Sequence, residues 1–106
     1  MNPVIVADAS CLIGLQNCGK LDILPKIYSE ILIPPAVARE FGDVVSFARI
    51  TSPTDDYLVR SLRFILGSGE SEAIALAMEL QSAIILDDKK ARSVAEGMGL
   101  SPRGRR

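Results

Sequence analysis

The sequence predicts an α/β fold with a mainly parallel, four-stranded sheet. Three observations carry this expectation. Four short strand-like runs, residues 4–7, 30–33, 48–51 and 83–86, are separated by stretches with helical spacing of apolar residues. The first run, Val4-Ile5-Val6-Ala7, is apolar without alternation, as a parallel strand buried on both faces is. Proline and glycine punctuate the boundaries: Pro34-Pro35 ends the second run, and Gly19 and Gly42 follow helical stretches.

Taken in order, Val4–Ala7 is the first strand. Ser10 can cap a helix that carries Leu12, Ile13 and Leu15 to Cys18, with Gly19 as its stop. Leu21–Tyr28 reads as a second helical piece kinked at Pro25. Glu30–Ile33 is the second strand, and Pro35 suits the first turn of a helix with Val37, Ala38 and Phe41 on its apolar side. Ala48–Thr51 is the third strand. Asp55 or Asp56 caps a helix running through Leu66, with Leu58, Leu62, Ile65 and Leu66 on one face. Gly67-Ser68-Gly69 is a flexible joint before a helix over Glu70–Leu80, whose acidic start complements the helix dipole. Ala83–Leu86 is the fourth strand, and Asp88 or Asp87 opens a last helix reaching Met98. The remaining Ser101–Arg106 is polar and basic without apolar periodicity, so residues 1–100 are expected to form the domain and 101–106 a disordered basic tail.

With 106 residues, 48% of them hydrophobic and 24% charged, the chain suits a single globular domain with its own core. No apolar run approaches the roughly 18 residues of a membrane span, and no signal peptide is evident. A cytoplasmic location, without membrane association, is the expectation. The net charge of −1 supplies no global attraction for nucleic acid, so contacts would depend on local clusters, and Lys89, Lys90, Arg92, Arg103, Arg105 and Arg106 all fall in the last quarter. Tyr28, Tyr57 and the three phenylalanines show no interleaving with basic residues that would signal base stacking. Cys11 and Cys18, about 10 Å apart if on one helix, are beyond disulfide reach and read as small buried residues in a reducing compartment.

The acids are the informative feature. Asp8 ends the first strand, Asp87 and Asp88 end the fourth, Glu40 lies on the helix after the second, and Glu70 and Glu72 open an alanine-rich helix. Ligand sites of parallel sheets lie beyond the carboxyl ends of the strands, which is where Asp8 and Asp87/Asp88 fall. Singly, these acids read as helix caps or solvated residues. Carboxylates brought together repel, and a divalent cation relieves that repulsion. No histidine is present, which excludes histidine-based ribonuclease chemistry and a typical zinc hydrolase site. Gly14-Leu15-Gln16-Asn17-Cys18-Gly19-Lys20 imitates a phosphate-binding loop, but Leu21 stands where a magnesium-binding Ser or Thr is required.

The stretches Val6–Ile13, Ile33–Glu40, Gly69–Ala77 and Leu86–Arg92, in this order, resemble the PIN domain, in particular its small prokaryotic branch of toxin nucleases from toxin–antitoxin modules (VapC-like). The resemblance covers roughly residues 3–100. It implies a three-layer α/β/α sandwich and a Mg²⁺- or Mn²⁺-dependent ribonuclease. Its implied catalytic and metal-holding acids are Asp8, Glu40, Glu72 and Asp88, with Asp87 the alternative to Asp88. Ser10 matches the small hydroxyl residue beside the first acid, and Glu70 either supports the ligands or caps its helix. Lys89, Lys90 and Arg92 would meet RNA phosphates, although a solvated helix face explains them equally well. A cognate antitoxin and a homodimer are the implied protein partners. Relatives continue past the equivalent of Gly99-Leu100 into a fifth strand, whereas this chain turns basic. The chain is therefore expected to lack that strand, and the rival reading is a truncated, inactive remnant that only binds protein or self-associates.

Overall fold

In a computed structural model describing residues 4–100 and 102–103, Val4–Ala7 forms strand β1 at the centre of a wholly parallel sheet. Glu30–Ile33 (β2) pairs on one side of it, with Ile5 opposite Ile31, and Ala83–Ile85 (β4) on the other, with Val6 opposite Ile84. Ala48–Ile50 (β3) lies outside β2. Ile5, Val6 and Ala7 are fully buried, and so nearly are Ile31, Leu32 and Ile33. Successive strand residues point to opposite faces, so both faces of the sheet are covered, the middle layer of the expected sandwich.

The four expected strands are all present, in the order β3-β2-β1-β4. Beyond β4 the sheet has a further strand, Pro102–Arg103 (β5), parallel to it with Pro102 opposite Ile84. The expectations of a missing fifth strand and of a tail without structure are therefore corrected at these two residues. Their pairing meets backbone groups of β4 that would otherwise form an open edge, and a proline without an N–H is tolerated at the start of an edge strand.

The helices are α1 (Ala9–Asn17), α2 (Leu24–Ile27), α3 (Pro35–Phe41), α4 (Asp56–Arg63), α5 (Ser68–Leu80) and α6 (Lys89–Gly97), with a 3₁₀ turn at Leu21–Ile23. Three boundaries differ from expectation by more than one residue. Asp8, not Ser10, caps α1, because its carboxylate reaches the Cys11 amide from the last position before the helix. Helix α4 ends at Arg63 instead of Leu66. The Gly67–Gly69 joint is largely helical: Gly67 is the N-cap of α5, and Gly69 is buried in its first turn.

Helix α5 organises the molecule. It packs on β1 and β4 and also against α3 and α4, burying Gly69 and every residue from Ser71 to Ala77. Its small residues, Ala73, Ala75 and Ala77, permit approach from several directions, while Ile74 and Leu76 fill the core, each contributing roughly 2–3 kcal/mol by burial. No helix among the described residues is long and apolar enough to cross a membrane.

Candidate metal centre

Asp8 and Asp87 leave the carboxyl ends of adjacent strands. The Asp8 amide continues the ladder by donating to the Ile85 carbonyl at 3.2 Å, which sets Asp8 level with the end of β4. Asp8 is 1% exposed. Its Oδ1 accepts the Cys11 amide at 2.8 Å, while its Oδ2 is buried without a hydrogen-bond partner. Burial pushes its carboxyl up to about 6, the amides of Cys11 and Asp87 pull it down, and the charges of Glu70 and Asp87 add to the rise. The nearby Cys11 thiol is pushed up to about 12, by burial first and then by Asp8 and Asp87, so it stays protonated.

Glu70 occupies the third position of α5 and accepts the Gly67 amide at 3.3 Å. Partial burial raises its carboxyl above the ordinary value. The Gly67 amide and the ammonium of Lys90 lower it, and Asp88 and Glu40 raise it. Glu40 reaches this place because position 69 is glycine. A Cβ on Gly69 would lie 2.7 Å from Glu40 Oε1, so the missing side chain is the space that the carboxylate occupies. Asp88 caps α6, with Oδ2 accepting the Ala91 amide at 2.9 Å. Asp8, Glu40, Glu70, Asp87 and Asp88 thus form one neighbourhood of mutually felt charge, with Lys90 on its border.

Glu72 is directed elsewhere. Two helical residues turn through about 200°, so Glu70 and Glu72 leave α5 on different sides. Glu72 is buried, accepting the Ala36 amide at the start of α3 through Oε1 at 3.0 Å and facing Arg63 Nη2 through Oε2 at 3.3 Å. It braces α5 against α3 and α4. Ser10 is exposed in the first turn of α1. Lys89 is exposed, and Arg92 is half-buried with a partner of its own. Cys18 is exposed rather than buried, because it follows the last turn of α1.

The sequence expectation gave Glu72 a ligand's place and Glu70 a supporting one; in the fold Glu70 lies within the charge neighbourhood of Glu40 and Asp88, and Glu72 is engaged by the Ala36 amide and Arg63. The signal is present in the helical spacing, since an acid at the third position after a glycine N-cap faces back along the helix axis. Among the described residues no three His, Cys, Asp or Glu side chains are already gathered tightly enough to hold a metal ion. Hard oxygen donors nevertheless surround an orphaned, buried Asp8 oxygen whose charge is disfavoured. That donor set fits Mg²⁺ or Mn²⁺, which take oxygen ligands and keep several waters. A family model described as a PIN domain matches residues 4–105. A search of curated proteins gives no match.

Proposed function

We propose, from the premise that this chain belongs to the PIN-domain family, that it is a Mg²⁺- or Mn²⁺-dependent ribonuclease whose site is Asp8, Glu40, Glu70 and Asp88, with Asp87 beside them. The family gives a nuclease-type function that generally uses divalent metal ions. The observation that carries the assignment is Asp8, a buried carboxylate with one unpartnered oxygen and raised pKa, facing other acids at the edge where parallel sheets bind ligands. When bound, the cation would lower the pKa of a coordinated water and offset charge on a phosphodiester.

The chain's own groups divide the remaining work. Asp8 is fixed by its cap to the Cys11 amide, so it presents Oδ2 without side-chain freedom. Asp88 is similarly held by the Ala91 amide. Glu40, Asp87 and Asp88 are exposed, so an RNA phosphate has access from their side. Lys90, close enough to hold down the charge-disfavoured Glu70, offers a cation to that phosphate. Glu72 takes a positioning role in place of the ligand role expected of it, by anchoring the start of the helix that carries Glu40. The toxin assignment, with a cognate antitoxin and a cytoplasmic dimer, rests on the four ordered motifs alone. The inactive-remnant reading loses its main support, because Ile84 and Ile85 have strand partners in β5.

The test is cleavage of single-stranded RNA by purified protein in Mn²⁺ or Mg²⁺. EDTA and Asp8→Asn should each abolish it, and cleavage that survives Asp8→Asn sinks the proposed site. Copurification with the product of an adjacent small reading frame tests the toxin assignment separately.

A further inference from the structure

Helix α4 leaves two aromatic rings in solvent. Tyr57 is 81% exposed and Phe64, its C-cap residue still in helical conformation, is 89% exposed. Arg60 stands between them, three residues after one ring and four before the other, so ring, guanidinium and ring share one helix face. The aromatic–basic interleaving not expected from the sequence is therefore created by helical spacing. The first and last members are about 10 Å apart along the axis, about three nucleotide steps at the rise of a stacked strand.

Arg60 is the cation of this face. Arg60 has no ion pair or hydrogen bond among the described residues. With Arg63 it lines a cavity of about 360 Å³ that also contains Ser52, Asp56 and Glu72. Glu72 and Arg63 engage each other, and Asp56, one turn before Arg60 on α4, is the remaining carboxylate of that lining. Single-stranded nucleic acid matches this arrangement: bases stack on rings of any orientation, and phosphates meet guanidinium groups between them. The C-terminal end of α4 also leads through Gly67 to Glu70, at the acid cluster.

We propose that the Tyr57–Arg60–Phe64 face of α4 is a binding track for single-stranded RNA, stacking bases on the two rings and holding the backbone at Arg60. The choice of RNA rests on the ribonuclease reading; the track itself rests on the rings and the unpaired guanidinium.

The experiment measures anisotropy of a fluorescein-labelled single-stranded RNA decamer against full-length protein carrying Asp8→Asn, in Mg²⁺, over a salt series. Added Tyr57→Ala with Phe64→Ala should weaken binding at least about thirtyfold, about fivefold for each of the two stacked bases at the lower end of that effect. Tyr57→Phe should retain affinity, and Phe64→Leu should lose it, because the ring and not apolarity is what matters. Arg60→Ala should flatten the slope of log K against log salt by about 0.7, the loss of one phosphate contact to a single strand. Thermal melts should not change, since these side chains are solvent-exposed. RNA affinity and salt slope unchanged in all variants would overturn the track. So would a Tyr57/Phe64-dependent change in oligomeric state by light scattering with unchanged RNA affinity, which assigns the face to a second copy. Wild-type protein that binds RNA through α4 but never cleaves it refutes the nuclease reading and upholds the track. Cleavage and binding that both ignore α4 refute the track alone.

Discussion

Replacing Asp8 by asparagine should stabilise the metal-free protein at alkaline pH, relative to its effect in acid, while abolishing activity. The folded carboxyl of Asp8 titrates at about 6 against an ordinary 3.8. Between those values the folded state binds the proton more tightly than the unfolded chain, so wild-type stability falls as pH rises through that window. The full loss is about 3 kcal/mol above the folded value, at about 1.4 kcal/mol per pKa unit. The asparagine side chain keeps an Oδ1 acceptor for the Cys11 amide and is an equally good cap. Its amide nitrogen replaces the orphaned Oδ2 and adds a buried donor without a partner, costing about 1–3 kcal/mol at every pH. The difference in stability between Asp8→Asn and wild type should therefore move by about 2.4 kcal/mol in the variant's favour from about pH 4 to about pH 8, because at pH 4 the unfolded carboxyl is already partly ionised. Urea unfolding in EDTA at the two pH values measures it. A difference that does not change with pH, or that moves against the variant, refutes the claim that Asp8 is held in a charge-disfavouring place. With Mn²⁺ at about 100 times its dissociation constant, wild type alone should gain about 2.7 kcal/mol.

The two acids of α5 should separate cleanly. Glu70→Gln should weaken Mn²⁺ binding in calorimetry with little loss of stability, whereas Glu72→Ala should cost about 1–3 kcal/mol in urea unfolding by stripping the Ala36 amide of its acceptor. Gly69→Ala should leave stability within about 1 kcal/mol of wild type, because gained helix propensity offsets crowding, yet displace the Glu40 carboxylate and lower both Mn²⁺ affinity and cleavage. Unchanged affinity there would show that Glu40 takes no part. Iodoacetamide at about pH 8 should label Cys18 and spare Cys11, which as a thiolate is present in roughly one molecule in ten thousand; peptide mass mapping after a short exposure reads the ratio.

The strands are readable because a parallel strand buried on both faces must be apolar throughout, and Val4–Ala7 and the Ala83–Leu86 run are. Gly42 is readable as a stop because it adopts a left-handed conformation, φ 80°, that other residues avoid. The beginning of α1 is harder. Both Asp8 and Ser10 are competent caps, and the ladder bond that holds Asp8 beside Ile85 decides between them. The extent of α5 is obscured at Gly67–Gly69, since glycine weakens a helix locally but is needed where Glu40 presses on Gly69. β5 cannot be read from a polar, proline-containing segment, because its pairing comes from the open edge of β4 and not from its own propensity.

The amino-acid order by itself determined the α/β class, the parallel sheet and the fact that Asp8 and Asp87 follow the carboxyl ends of strands, for these follow from apolar patterning and chain continuity; that the two strands are neighbours came from the fold. It also supplied every acid and removed every histidine. Only the tertiary structure decided which acids meet. Glu70 and Glu72 are chemically alike and two residues apart, and a local pattern cannot say which side of α5 faces the sheet edge and which faces α3. Packing chose, by seating Gly69 on Glu40 and the carboxylate of Glu72 on the first turn of α3. The same packing left Tyr57, Arg60 and Phe64 together on the solvent side of α4.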